Sequence, residues 1–372
     1  VPNELQSYWL MACSWLIVFA TTGTLALLVY WLWVKQPLRQ PRANLIVRWD
    51  GVMVGVGVLL CLAIPGIVHQ MLASSGFFTA LYGPDFPITI PKDQEINPEI
   101  REATNLRGLW ATLFADPIVI ALILLSLRYF YQVQAGQLGF ARSRLPLHLV
   151  VGWLRWAIFT PIVFAVYFLA IVLIVDQPEQ HHLTQLGPRA HALEWAMFDL
   201  VVVVLAPCLE EFLFRGVLLF WLLKRPGGTG DNVLEAAPKL RATGCLVVAG
   251  ILSLPPVLGA MAEHFQGPKL LRALAPMLFV VAIIPLYVWL PLSHWLRRRT
   301  RLRSAHEVRA ILASSIVFAA VHNGVWPSPI PLFVLGAGLG YVTVRTRSLV
   351  PAIVIHSLFN AVSAVFLLLG GK

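Results

Sequence analysis

Charge is scarce in this chain. Only 12% of its 372 residues are Asp, Glu, Lys or Arg, about half the share of an ordinary soluble domain. Acids are the scarcer sign, with 18 Asp+Glu against 28 Lys+Arg. So little charge excludes a soluble enzyme and a disordered chain. It also excludes a nucleic-acid-binding protein, whose basic surface would need far more of it. Cysteine is equally sparse. Cys13, Cys61, Cys208 and Cys245 lie far apart in apolar stretches without CxxC spacing, so a disulfide framework or zinc knuckle is excluded and buried structural thiols are expected. No HExxH run, internal repeat or low-complexity tract is present.

What the chain has in abundance is apolar length. Hydrophobic residues make up 58%, and the mean hydropathy is +0.76. A helix crossing a bilayer needs about 20 mainly apolar residues. Ten runs qualify: 8–34, 51–72, 109–127, 149–175, 195–223, 243–262, 276–296, 310–326, 330–344 and 349–369. The first is too long for a signal-peptide core and counts as a span. The eighth and ninth are short and separated by Pro327-Ser328-Pro329, which suggests one helical hairpin. The expected fold is therefore an all-α polytopic bundle, because open strands leave backbone groups unpaired in lipid.

Basic residues supply an orientation. With ten crossings, the segments 35–50, 128–148, 224–242, 297–309 and 345–348 share one side and hold 19 Lys+Arg, against 7 on the other. The positive-inside rule puts the richer side in the cytoplasm and both termini outside it. The outer segment 73–108, rich in Pro, Gly and acids, reads as a cap or a short interfacial helix. Many of the 13 Trp stand near span ends, where indole rings settle at the membrane interface.

Ionisable residues inside spans cost several kcal/mol and mark function. His69, Asp116, Arg155, Asp199 and His294 lie toward span ends, where interfacial anchoring or a local backbone bond accounts for them. Glu210, Glu211, Arg215, His322 and His356 do not yield to that explanation. Glu210 stands near the middle of its span, and His322, His356 and Asn360 fall within one or two turns of the same depth. Glu211 and Arg215 are four residues apart, share a helix face and are expected to pair. Glu210 points about 100° away from Glu211. His356 and Asn360 are also four apart and form a two-pronged polar face. Structural glue in membranes is usually Ser, Thr or Asn, and adjacent glutamates beside histidines are a costly substitute.

These groups suit hydrolysis. A carboxylate beside an imidazole activates water and later returns the proton to a leaving amine. An imidazole N–H and a side-chain amide stabilise an oxyanion. The set reads as peptide-bond cleavage within the membrane. No Ser–His or paired-Asp arrangement offers another route. Two histidines and a glutamate could bind zinc, but no helix presents two histidines at ligand spacing, so zinc is disfavoured. A proton-coupled transporter would use the same residues as a relay, and a non-catalytic scaffold or immunity protein would retain them without chemistry.

Three motifs carry a resemblance. Glu210-Glu211-Phe212-Leu213-Phe214-Arg215 resembles the EExxxR motif of the CPBP intramembrane proteases, a family that includes type II CAAX prenyl endopeptidases and bacteriocin-processing proteins. Phe318-Ala319-Ala320-Val321-His322 resembles its FxxxH motif, and His356-Ser357-Leu358-Phe359-Asn360 its HxxxN motif. The resemblance implies a glutamate endopeptidase without a cofactor, acting on a membrane-associated peptide or protein. It implies that Glu210 and His322 activate water, that His356 and Asn360 stabilise the oxyanion, and that Glu211 and Arg215 support them. It also divides the chain into N-terminal helices, 1–194, and catalytic helices, 195–372, with a two-span insertion at about 243–296. The style of the sequence suggests a bacterial inner membrane. The substrate and the oligomeric state stay open.

Overall fold

The computed structural model describes residues 47–87, 98–138, 144–174, 190–224, 290–300, 304–322 and 327–370, together with isolated positions elsewhere. Every regular element among them is helical. The helices are α1 (Gly51–Ser74), α2 (Phe77–Tyr82), α3 (Pro98–Tyr131), α4 (Leu145–Ile174), α5 (Ala192–Leu223), α6 (Leu290–Thr300), α7 (Ala305–Val321), α8 (Pro329–Thr346) and α9 (Val350–Gly370). Four of them, α1, α3, α4 and α5, are long and apolar enough to cross a membrane, and a bent α6–α7 pair would make a fifth. The chain is an integral membrane protein of helical class. Of the ten expected spans, most of 8–34, 243–262 and 276–296 falls outside the described residues.

The chain divides into two compact units. One comprises Arg48–Gln134, Gln180–Leu213 and His356–Lys372, and the other comprises Val1–Val47, Ala135–Glu179 and Phe214–Ile355. Both α5 and α9 contribute to each.

In the first unit, α1 starts at Asp50, whose Oδ1 accepts from the N–H groups of Val52 and Met53. The Tyr131 hydroxyl donates to the same oxygen at 2.8 Å, tying the end of α3 to the start of α1. Leu59 and Leu62 of α1 are 65% and 74% exposed, as lipid-facing leucines should be. The core gathers Phe78, Phe86, Leu106, Leu109, Met197, Phe198 and Val201. A polar chain borders it: Trp110 Nε1 donates to the Tyr82 hydroxyl at 2.8 Å, which donates to Glu194 Oε1 at 3.0 Å. Burial pushes the Tyr82 hydroxyl up to about 12, so it remains a donor at neutral pH. Residues 73–108, expected as one outer segment, include a short helix at 77–82 and the first turns of α3 from Pro98.

In the second unit, α7 and α8 form the hairpin anticipated from Pro327-Ser328-Pro329. Ser304 caps α7 by accepting from the Glu307 N–H at 3.3 Å. Glu307 also bridges to Arg347 at 3.2 Å, joining the first turn of α7 to the C-terminal cap of α8. Close approach needs small side chains. A Cβ on Gly340 would stand 3.1 Å from Ile311 Cγ2, and one on Gly336 would stand 3.2 Å from Ser315 Cβ. Gly336 and Gly340 are four residues apart, the spacing by which membrane helices bring their backbones together. α4 packs on α8, and a Cβ on Gly152 of α4 would lie 2.7 Å from Val354 Cβ in the first turn of α9.

Candidate active site

The backbone of α5 is wound for the site. Two wide π segments, Leu200–Leu205 and Phe212–Leu219, flank one α turn, Ala206–Glu211, which carries the glutamates. Such widened turns recur at functional sites. Proline explains part of the pattern. In the π register the Ala206 N–H reaches the carbonyl of Val201. The next donor in that register, for Val202, would be residue 207, which is proline and has no N–H. Asn360 supplies the bond instead, its Nδ2 donating to the Val202 carbonyl at 2.9 Å. One of the two amide protons expected to serve an oxyanion is thus used to complete the helix.

The first unit brings Glu210, Glu211 and His356 together. His356 is 3% exposed, and its Nδ1 lies 2.9 Å from Glu211 Oε1. With Glu211 as a carboxylate, which only accepts, Nδ1 is the donor of this bond. The other nitrogen, Nε2, stands 3.8 Å from Glu210 Oε2. Glu211, fully buried, is thus an orienting partner of His356. The contact with His356 joins residues 145 apart in the chain, which spacing along one helix does not reveal.

The second unit holds Arg215 and His322. Arg215 is fully buried, with its guanidinium 4.3 Å from the Phe318 ring centroid and 6.0 Å from that of Phe214. A desolvated cation over an aromatic face is worth about 2 kcal/mol. Phe318 also meets the His322 ring at 4.9 Å. His322 stands at the end of the helix that the apolar run 310–326 anticipated. The helix ends at Val321, and His322 is its cap, with φ −93° and ψ 16°. Its Nδ1 sits 2.8 Å from the Phe318 carbonyl. That oxygen can only accept, so in the neutral ring Nε2 is the acceptor. Phe318 is thus the physical link between two motifs, a role its apolar character concealed. Residues 323–326 lie outside the described residues.

Gly336 walls this cluster. A Cβ there would come 3.1 Å from Arg215 Nη2 and 3.2 Å from Phe318 Cδ1. Gly336→Ala is expected to cost about 1–3 kcal/mol by overpacking, measurable as a lower melting temperature in detergent. An unchanged melting temperature would show that the guanidinium and ring move aside freely.

Among the described residues, no three His, Cys, Asp or Glu side chains are grouped to hold a metal ion. Residues 192–362 match the family model described as type II CAAX prenyl endopeptidase Rce1-like. All seven motif residues, Glu210, Glu211, Arg215, Phe318, His322, His356 and Asn360, lie within the match. Comparison with curated proteins and with solved structures gives no match.

Proposed function

With residues 192–362 belonging to the Rce1-like family of type II CAAX prenyl endopeptidases, we propose that this protein is an intramembrane glutamate endopeptidase. It cleaves a peptide bond of a membrane-associated protein or peptide with water activated by Glu210. The observation that carries the reading is the relay Glu211–His356–Glu210, at 2.9 and 3.8 Å. It fixes one tautomer of a buried imidazole and aims its second nitrogen at a carboxylate, an expensive arrangement that packing alone does not require.

The residues divide the work as follows. Glu210 takes a proton from water, and the hydroxide oxygen bonds to the carbonyl carbon. His322, with Nδ1 held by the Phe318 carbonyl, presents Nε2 as an acceptor and is the second residue proposed to activate water. The oxyanion is met by the remaining Asn360 amide proton and by His356. For His356 to donate from Nε2 while Nδ1–H stays on Glu211, the ring must carry both protons. As the C–N bond breaks, the proton on Glu210 passes to the leaving amine. Arg215, held against Phe318 and Phe214 with Gly336 beside it, is a fixed cation in a supporting role. The mechanism calls on no metal and no cofactor.

The protein sits, on this reading, in a bacterial inner membrane with both termini outside the cytoplasm. The basic segments that set this orientation include Arg297-Arg298-Arg299 and Arg345. The test is cleavage of a membrane-tethered peptide library by purified protein in liposomes. Fragments released equally with and without a chelator are the expected result. Loss of cleavage with chelator, restored by a divalent ion, would replace the glutamate mechanism with a metal one. Substrate flux without cleavage would favour a transporter, and neither outcome a scaffold of the same fold.

A further inference from the structure

One cation of the second unit stands where lipid should be. Arg155 is the eleventh of the 30 residues of α4, and it is exposed. The opposite side of α4 is the packed one: Trp156, Thr160 and Val163 are at most 4% exposed, and Gly152 meets Val354. Ile158 and Ile162, 54% and 50% exposed, share the outward side with Arg155 at spacings of three and seven residues. A guanidinium among lipid-facing isoleucines is costly and calls for a partner. Among the described residues, no hydrogen bond, ion pair or ring contact engages it.

Beside Arg155 runs a groove of about 460 Å³, within the range of volumes that hold small ligands. Its walls include Gly23 and Leu27, helical positions of the run 8–34, and Leu154, Ala157 and Ile158 of α4. A Cβ on Gly23 would stand 3.6 Å from Ala157 Cβ, so the two helices approach closely at small residues and the groove follows that seam. Arg155 is the one charged group in the lining. Depth matters too. Arg155 lies about 15 Å along α4, which is about 45 Å long against a hydrocarbon core of about 30 Å. A centred helix puts its Cα about 8 Å below the hydrocarbon edge, a depth from which arginine can extend to the headgroups. The Cα–Cβ bond of a helical residue tilts toward the N-terminus, which is the nearer edge. Arg144, also exposed, stands eleven residues back, about three turns, on the same side.

We propose that this groove binds one anionic phospholipid, its phosphate held by Arg155 with Arg144 and one acyl chain laid along the seam. The occupant follows from what the site lacks. An apolar lining needs a hydrocarbon chain, an unanswered guanidinium needs an anion, and a phospholipid joins the two. The planar guanidinium matches two phosphate oxygens at once. Two cations facing one phosphate favour a headgroup of net negative charge over a zwitterionic one. The site lies outside the matched residues 192–362 and is independent of the chemistry proposed for Glu210.

Full-length protein is reconstituted in vesicles of equal phosphatidylglycerol and phosphatidylcholine, extracted, and analysed by native mass spectrometry for retained lipid. Wild type should keep one phosphatidylglycerol in preference to phosphatidylcholine by about tenfold or more, since each basic residue near a lipid phosphate contributes about fivefold. Arg155→Gln should abolish the preference, and Arg144→Gln should weaken it about fivefold. Leu27→Trp, which fills the groove and keeps both cations, should prevent retention. In lipid-free detergent Arg155→Gln should melt with the wild type, and added phosphatidylglycerol should raise the melting temperature of the wild type alone. Equal retention of the two lipids, or an unchanged preference in Arg155→Gln, would overturn the proposal. So would retention by Leu27→Trp, which would place the lipid elsewhere, and displacement by inorganic phosphate, which would leave a bare anion site. A lower melting temperature of Arg155→Gln without lipid would reveal a partner within the chain and overturn it equally.

Discussion

Glu210→Gln is expected to abolish peptide cleavage while leaving the protein folded. The change keeps the size and shape of the side chain, and an amide still suits a site 3.8 Å from His356 Nε2. What it removes is the ability to take a proton from water, without which the nucleophile stays neutral. General acid–base catalysis by one group contributes about 10²–10⁴ in rate, and here the same group must also deliver the proton to the amine. The measurement pairs a fluorogenic tethered peptide with a melting curve on the same preparation. Cleavage at the wild-type rate by folded Glu210→Gln would remove Glu210 from the mechanism. Asn360→Ala offers the contrast, because it loses an oxyanion donor and also frees the Val202 carbonyl.

Glu211→Ala should have the second largest effect, and on the fold before the chemistry. Glu211 and His356 are buried at 0% and 3% exposure, with 2.9 Å between Oε1 and Nδ1. Removing one member of a buried pair strands the other, at about 3–5 kcal/mol where charge is involved. Folded yield should therefore fall sharply. Glu211→Gln retains an oxygen that can accept from Nδ1–H, so its yield should approach wild type. Its cleavage rate should still drop, since the carboxylate no longer supports a doubly protonated His356. Size-exclusion recovery and the tethered-peptide assay separate these effects. Normal recovery of Glu211→Ala would show that His356 is oriented by some other group.

Helix type and membrane residence were legible in the sequence because apolar length is a direct physical requirement of the bilayer. The α7–α8 hairpin was legible from Pro327-Ser328-Pro329, and the candidate site residues stood out by their cost in lipid. Partners were less so. Spacing along α5 could not show that Glu211 meets His356 or that Arg215 lies over Phe318. Contacts across helices depend on crossing geometry, which a linear pattern does not encode. The length of α3 was misread for a related reason. The hydropathy window ended α3 at 109–127, although the helix runs from Pro98 to Tyr131, and its first turns carry acids and bases that a hydropathy count rejects. Asn360 was seen as chemistry alone, because a missing backbone donor at Pro207 matters only once the preceding turn is known to be wide.

That wide turn has a consequence for phase. Leu200–Leu205 takes one residue more than an α-helix to come round, so the two ends of α5 are offset by about 100° from where unbroken winding would leave them. Met197, Phe198 and Val201 are fixed before or within the turn by the core they fill, and Glu210 and Glu211 come after it. Unbroken winding would turn one of the two groups away from its task. The apolar run Leu200-Val201-Val202-Val203-Val204-Leu205 thus acts as a spacer whose length, more than its composition, aligns core and carboxylates. Substitutions within it among Val, Ile and Leu leave that alignment alone, whereas loss of a single residue would act like a gear slipping one tooth.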